Sequence, residues 1–298
     1  MTKEIYFAGG CFWGVEHFFK GVDGVEDTAP GYANGKPENP SYEEVYTDTT
    51  GHAETVRVRY NPSKVGLDTL ARLFFAIIDP ESLNRQGHDE GTRYRTGVFY
   101  TDQADEAVLR EVFAAVPGNV VTELEPLKCF YPAEEYHADY LDKNPQGYCH
   151  LPLKAFRYLR LYQDLKLVLA DETDAVARMA QISAYIQERM GFFWTGFYRV
   201  FGDNLVLGPF QGPPACMRIR FGKGVCGSAW KERKTLLVPD VEEFPGHIAC
   251  SSLSRSEVVV PVMSGGEVSA VLDIDSTETG TFDRIDASFL ELIVADCL

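Results

Sequence analysis

Seven cysteines, with the carboxyls and hydroxyls near them, hold most of the chemistry in this sequence: Cys11, Cys129, Cys149, Cys216, Cys226, Cys250 and Cys297. Cys11 stands in "FAGGCFWGVEHFF", after two glycines and before an aromatic pair. A strand-like run precedes it, and Val15, Phe18 and Phe19 follow at helical spacing, so Cys11 falls at a helix N-terminus. Unpaired backbone N–H groups and the helix dipole favour a thiolate there, and hence a nucleophile. A small buried residue that opens a helix is the competing account. "SYEEVYTDTTGHAETVRV" supplies Tyr42, His52 and Glu54. Glu54 opens an otherwise apolar alternating strand. Facing inward, it would be desolvated and have a proton to give. "RQGHDEGTRYRTGVFY" adds Asp89 and Tyr94 in a glycine-bounded loop. Taken singly, each has a plainer account: a surface acid, a turn aspartate, a half-buried tyrosine.

The second half places Cys216, Cys226 and Cys250 in "PPACM", "GVCGS" and "GHIAC". Glu257 opens "EVVVPV", and Asp273 and Asp275 close a strand in "LDIDS". If these carboxyls cluster, at least one stays protonated, since like charges cannot all ionise cheaply. Turn aspartates at a strand end are the plainer account. His247 and Cys250 offer two metal ligands without a partner pair, and no CxxC occurs, so no metal is expected. Phe210, Trp230 and Met217 are expected in the ordinary core. An odd cysteine count in a chain of this size fits a disulfide scaffold poorly.

The elements that must position these groups are legible in outline. In the first half, "EIYFAGG", "AETVRVRYNP" and "RTGVFYTD" read as strands. "CFWGVEHFFKGV", "VGLDTLARLFFAIIDP", "QADEAVLREVFAAVPG" and the shorter "AEEYHADYLDKNP" read as helices. "NPQGYCHLPLKAF", with two prolines and a glycine, marks a boundary. The expected domains are 1–150 and 160–298, joined by a linker at 151–159. After the boundary a helical run breaks near Asp171. Strands follow in "WTGFYRVFG", "NLVLGPF", "RIRFG", "TLLVPDV", "SEVVVPVM" and "EVSAVLDIDS", the last two joined by a hairpin at Ser264–Gly266. "GVCGSAWKERK" and "DRIDASFLELIVADC" read as helices. The fold class is α+β in two domains: a mixed α/β sandwich, then an antiparallel sheet flanked by helices.

Length and charge set outer bounds. The chain has 298 residues, 45% of them hydrophobic, enough for a core in each domain. A net charge of −16 repels phosphate backbones and argues against nucleic acid as a partner. No run of 18 apolar residues and no secretory signal is visible, so no membrane is expected and a cytoplasmic location is.

Five motifs occur in order: "GGCFWGVE", "GYANGKPENPSYEEV", "TGHAE", "QGHDEGTRYR" and "KNPQGYC". Across nearly all of residues 4–150 the chain resembles the A-type peptide methionine-S-sulfoxide reductases. The resemblance implies that Cys11 attacks the sulfoxide sulfur and that Phe12 and Trp13 cage the substrate methyl group. Glu54 would protonate the sulfoxide oxygen, with Tyr42 and Tyr94 bonding to it and Asp89 in the same pocket. Cys149 matches the resolving cysteine, which would condense with the Cys11 sulfenic acid, and thioredoxin is the implied reductant. Cys129 has no counterpart and is expected to be structural.

From about Tyr162 to Leu292 the chain resembles the free methionine-R-sulfoxide reductases, which are built on a GAF domain. That implies Cys250 as nucleophile, Cys216 as the main resolving thiol and Cys226 as a third redox or pocket cysteine. Glu257, Asp273 and Asp275 match the pocket carboxylates, and Trp194 and Tyr198 the pocket aromatics. Neither domain would need a metal or an organic cofactor. Together the two would reduce both epimers of the free amino acid. Two rival readings of the second half are a redox or ligand sensor that regulates the first, and a structural GAF fusion that aids dimerisation.

Overall fold

The apolar run around Ile5–Ala8 becomes β1 (Lys3–Gly9), and both of its faces are covered. The computed structural model describes residues 2–248 and 251–298. It divides into two units, Met1–Phe156 and Arg157–Leu298. No helix among the described residues is long and apolar enough to cross a membrane.

In the first unit β1 is followed by α1 (Phe12–Lys20), β2 (Val25–Ala33), α2 (Tyr42–Tyr46), β3 (Ala53–Tyr60) and α3 (Leu67–Ile77). Then come the two-residue strands β4 (Arg85–Gln86) and β5 (Asp89–Glu90), β6 (Thr96–Tyr100), α4 (Asp105–Ala115), β7 (Glu123–Pro126), β8 (Phe130–Pro132) and α5 (Tyr140–Lys143). One sheet runs β7-β6-β1-β3-β2-β8. Its pairs are antiparallel except β6 with β7. On one face Phe7 stacks on Phe19 of α1 at 4.6 Å and on Phe74 of α3 at 4.8 Å between ring centroids. On the other, Tyr6 and Ala8 join Ala33, Ala53 and Phe99, and Tyr6 meets Phe130 edge-on at 5.0 Å. Each fully buried ring of this kind contributes roughly 1.5–3 kcal/mol relative to exposure.

Six elements of this unit escape the sequence patterning, two of them the two-residue strands β4 and β5 in what reads as a glycine-bounded loop around Asp89. β2 contains Pro30 and Gly31, which read as turn residues, yet Pro30 pairs with Val56 and Gly31 with both Thr55 and Pro132. A Cβ on Gly31 would meet the Phe130 ring at 2.5 Å, so glycine is what lets β8 close over the sheet. β7 and β8 are too short for an alternating pattern, and α2 is a five-residue helix fixed by a Ser41–Glu44 capping box. The helix expected over "AEEYHADYLDKNP" contracts to α5, whose N-cap Asp139 is left-handed at φ 54°.

α6 (Leu153–Val168) begins at the end of the first unit and continues into the second, which further contains α7 (Ala175–Met190), β9 (Trp194–Phe201), β10 (Asn204–Gln211), β11 (Arg218–Arg220), α8 (Gly224–Glu232), β12 (Leu236–Val238), β13 (Ser256–Ser264), β14 (Glu267–Ser276) and α9 (Arg284–Cys297). The second unit's sheet is wholly antiparallel in the order β11-β10-β9-β14-β13-β12. The hairpin closes through Gly265 and Gly266, both at positive φ, between the pair Ser264 and Glu267. Residues expected as linker lie largely in α6, where Tyr158, Leu161, Tyr162 and Leu165 are buried on a helical repeat. Pro152 precedes that helix rather than breaking it, as a proline outside the first turn can. Tyr158 stacks on Phe289 at 5.4 Å and donates to Asp286 at 2.9 Å. Phe210 and Trp230 pack on the core cluster, but Met217 is 77% exposed and not a core residue.

Candidate active sites

Cys11 is the N-cap of α1, delivered there by a glycine corner. Gly10 sits at φ +85°, and a Cβ on it would meet Gln86 Cβ at 2.7 Å. Phe7 pairs with Val56 in the β1–β3 ladder, so one pleat further on, where the chain leaves for α1, Glu54 faces the corner. The Phe12 N–H, first in α1, donates to Glu54 Oε2 at 3.1 Å. Burial pushes the Glu54 carboxyl up to about 8, against that hydrogen bond and the nearby Arg93 charge. Glu54 is therefore largely protonated at neutral pH.

The Cys11 thiol departs from the helix-terminus expectation. It is 5% exposed, and burial, followed by the Glu54 charge, holds its pKa well above the ordinary thiol value. A hydrogen bond from the Trp13 N–H pulls the other way and does not win. The resting group is the thiol, because desolvation outweighs the helix terminus.

Aromatic rings crowd this corner around a histidine that sequence patterning does not single out. Trp13 Nε1 donates to His137 Nδ1 at 3.1 Å, and Trp13 stacks on Tyr140 at 3.8 Å. Phe12 and Tyr42 lie 5.0 and 4.7 Å from the His137 ring. Glu134 accepts from the Tyr42 N–H and the Tyr32 hydroxyl, both at 2.8 Å, which anchors α2. Burial pushes Tyr42 up to about 12, and the Glu54 and Cys11 charges add to it. Tyr94 is raised by burial and then by Glu54. Its loop is held by Arg93, which pairs with Asp48 and lies over the Tyr94 ring at 4.4 Å. Asp89 accepts from the Tyr148 hydroxyl at 3.0 Å. Cys11 Sγ, an Asp89 oxygen and a His150 nitrogen lie within 4.8 Å of one another. Cys149 Sγ packs over Gly14 of α1, where an added Cβ would stand 3.2 Å from it. His52 belongs elsewhere: it is buried against Tyr131, 4.0 Å from Cys129 Sγ. Nothing in "EEYHADYL", where polar and apolar residues mix, sets His137 apart; its role depends on Trp13, far along the chain.

In the second unit the register gathers the chemistry. Glu257 pairs with Asp275, which pairs with Trp194, and Asp273 pairs with Gly196. With side chains alternating, Glu257, Asp273, Asp275, Trp194 and Tyr198 share one sheet face. A Cβ on Gly196 would strike Phe210 Cβ at 2.4 Å, so glycine makes room for the Trp194–Phe210 stack at 5.5 Å. α8 covers this face and brings Cys226 Sγ to 3.7 Å from Glu257 Oε1. Burial, then the charges of Asp273 and Asp275, drives the Glu257 carboxyl far up. Asp275 is raised by burial and by Asp273, and Asp273 is raised least. The group therefore holds protons at neutral pH. A pocket lined by Trp194, Tyr198, Cys226 and the three carboxyls opens here. Cys216, partly buried, is disulfide-bonded. Cys250 lies outside the described residues.

Residues 3–165 match the model of the peptide methionine sulfoxide reductase family, more than half of the chain. The chain belongs to the peptide methionine sulfoxide reductase family. It is a methionine sulfoxide reductase, with a second region, residues 171–297, that matches the GAF domain model. The peptide methionine sulfoxide reductase MsrA of Clostridium botulinum (strain Okra, type B1) is 55% identical over 155 residues, covering 51% of this chain and 99% of that protein. Two solved structures each align with about one half. Free methionine-R-sulfoxide reductase of Neisseria meningitidis, solved with its substrate, is 50% identical, covers 47% of this chain and 85% of its own, and has a TM-score of 0.46. Reduced Mxr1 of Saccharomyces cerevisiae is 42% identical, covers 51% and 92%, and has a TM-score of 0.49.

Proposed function

We propose that one chain reduces both epimers of methionine sulfoxide at two separate sites. The first domain, residues 1–150, acts on the S epimer, free or in proteins. The second, residues 160–298, acts on the R epimer of the free amino acid. The observation that supports the first half most is the protonated Glu54 carboxyl beside the Cys11 corner. A sulfoxide oxygen leaves sulfur poorly unless it is protonated, and Glu54 holds a proton at neutral pH. Cys11 sulfur attacks the sulfoxide sulfur while Glu54 lends its proton to the oxygen. The S–O bond to substrate breaks, methionine leaves, and Cys11 carries the oxygen as sulfenic acid. The former thiol proton returns to Glu54. Phe12 and Trp13 hold the methyl group, Tyr42 and Tyr94 bond the oxygen, and Asp89 keeps its place in the pocket. Cys149 then condenses with the sulfenic acid, and thioredoxin reduces the disulfide in the cytoplasm.

In the second domain, Glu257, Asp273 and Asp275 share too few charges among three carboxyls. The protonated members serve the oxygen and the ionised one suits the ammonium group of a free amino acid. Trp194 and Tyr198 enclose the methyl group. Cys250 is the nucleophile, Cys216 the main resolving thiol and Cys226 a third redox or pocket cysteine. An epimer-resolved assay of the full chain tests this, with thioredoxin or a dithiol as reductant. Both epimers of free methionine sulfoxide should be consumed, but only the S epimer of the N- and C-blocked compound. Survival of the free R epimer would leave the GAF half as a sensor.

A further inference from the structure

Beside Cys149 the chain carries a histidine that the mechanism above leaves unused. His150 Nε2 lies 3.0 Å from the Gly9 carbonyl oxygen. A carbonyl only accepts, so Nε2 bears the proton and Nδ1 the lone pair. Nδ1 is buried and has no hydrogen-bond partner among the described residues. Its position is specific. A Cβ built on Gly14 would stand 3.0 Å from Nδ1 and 3.2 Å from Cys149 Sγ, so the two atoms flank one point over the first turn of α1. The ring is also within 4.8 Å of Cys11 Sγ and of an Asp89 oxygen. The imidazole thus stands beside both thiols, tied down at one nitrogen and open at the other.

We infer that His150 Nδ1 takes the thiol proton of Cys149 as Cys149 attacks the Cys11 sulfenic acid. This rests on the pairing of Cys11 with Cys149 proposed above. In the step, Cys149 sulfur forms an S–S bond to Cys11 sulfur and the Cys11 S–O bond breaks. The thiol proton passes through His150 to the departing hydroxide, which leaves as water. Cys149 sulfur is oxidised as Cys11 sulfur is reduced, so no outside electron is needed. A base is useful because burial raises the Cys149 thiol, which would otherwise be almost wholly protonated at neutral pH. Burial also lowers the imidazole, with the Asp89 carboxylate opposing, so the ring is neutral and able to accept. The titratable groups facing it are Asp89 from β5, Cys11 from the start of α1, and Cys149.

The test is a single turnover of the full chain with the S epimer and no reductant, following methionine release and Cys11–Cys149 disulfide formation in the same reaction. His150→Gln keeps a donor for the Gly9 carbonyl and loses the basic nitrogen, since an amide cannot take up a proton. It should lower the disulfide rate at pH 7 tenfold or more relative to methionine release. The remaining rate should climb at high pH as the thiol ionises unaided. Gly14→Ala, which keeps the imidazole but crowds Nδ1 at 3.0 Å and Cys149 Sγ at 3.2 Å with a new methyl group, should show the same selective loss. A disulfide rate that keeps pace with methionine release in both variants overturns the assignment. So does an equal fall in both steps, which marks a structural role. If the unaltered chain releases methionine but forms no Cys11–Cys149 disulfide, the pairing fails, and this step with it.

Discussion

The backbone N–H of Phe12 donates to Glu54 Oε2 at 3.1 Å, which joins the first peptide of α1 to a buried carboxyl on β3. Two effects compete at Glu54. A hydrogen bond to a charged group favours ionisation by about 1.5–3 kcal/mol. The rise from 4.5 to about 8 corresponds to a shift toward the neutral acid on the order of 5 kcal/mol relative to a carboxyl in water. Burial therefore wins, and the acid that the chemistry needs is present at physiological pH.

Glu54→Gln keeps an acceptor for the Phe12 N–H and removes the proton source. Methionine release from the S epimer should fall by about 10²–10⁴ at pH 7 in a single-turnover assay. In the unaltered chain the same rate should decline as pH rises past about 8 and Glu54 ionises. An unchanged rate in the variant would remove Glu54 from the acid role.

The same group makes folding stability depend on pH. Its folded pKa lies above the unfolded value, so between 4.5 and about 8 the native chain binds more protons than the unfolded one. Stability then falls as pH rises through that window. Thermal melts of Glu54→Gln should run above those of the parent, with a gap that widens from pH 5 to pH 8. A gap that narrows over the same interval would contradict the shift.

Much of the first site is legible in sequence because its members sit in compact motifs. Cys11, Phe12, Trp13 and Glu54 come together as those motifs suggest, since the β1–β3 register places Glu54 at the end of β1. The protonation state of Cys11 is not legible. Sequence shows the helix terminus but not the desolvation that overrides it. His137 and His150 are hidden for a related reason, because each gains meaning only from partners far along the chain, Trp13 and Gly9. β2 is masked by Pro30 and Gly31, and α6 by the prolines before it. Met217, apolar and near a pocket cysteine, reads as core, yet it directly precedes the short β11 and points to solvent.

Gly10 should not tolerate a side chain. At φ +85°, with Gln86 Cβ 2.7 Å from the new methyl, Gly10→Ala combines backbone strain with a clash. The expected cost is about 1–3 kcal/mol by denaturant unfolding. S-epimer turnover should fall further than that cost explains, because the shift moves Cys11 from Glu54. A stable variant with full turnover would show that the corner does not position the thiol.

In the second unit, Glu257→Gln should relieve crowding among buried carboxyls. The raised Glu257 implies stability that falls as pH rises above the ordinary carboxylate range. The variant should therefore melt higher than the parent at pH 8, by several degrees, while R-epimer turnover drops tenfold or more. A lower melting temperature together with unchanged turnover would dissociate the cluster from catalysis.

The division of labour is tested most directly by epimer-resolved turnover of free methionine sulfoxide by Cys11→Ser and Cys250→Ser, each in the full chain. Cys11→Ser should lose the S epimer and keep the R epimer, and Cys250→Ser should do the reverse. Loss of both activities in either single variant would contradict two independent sites.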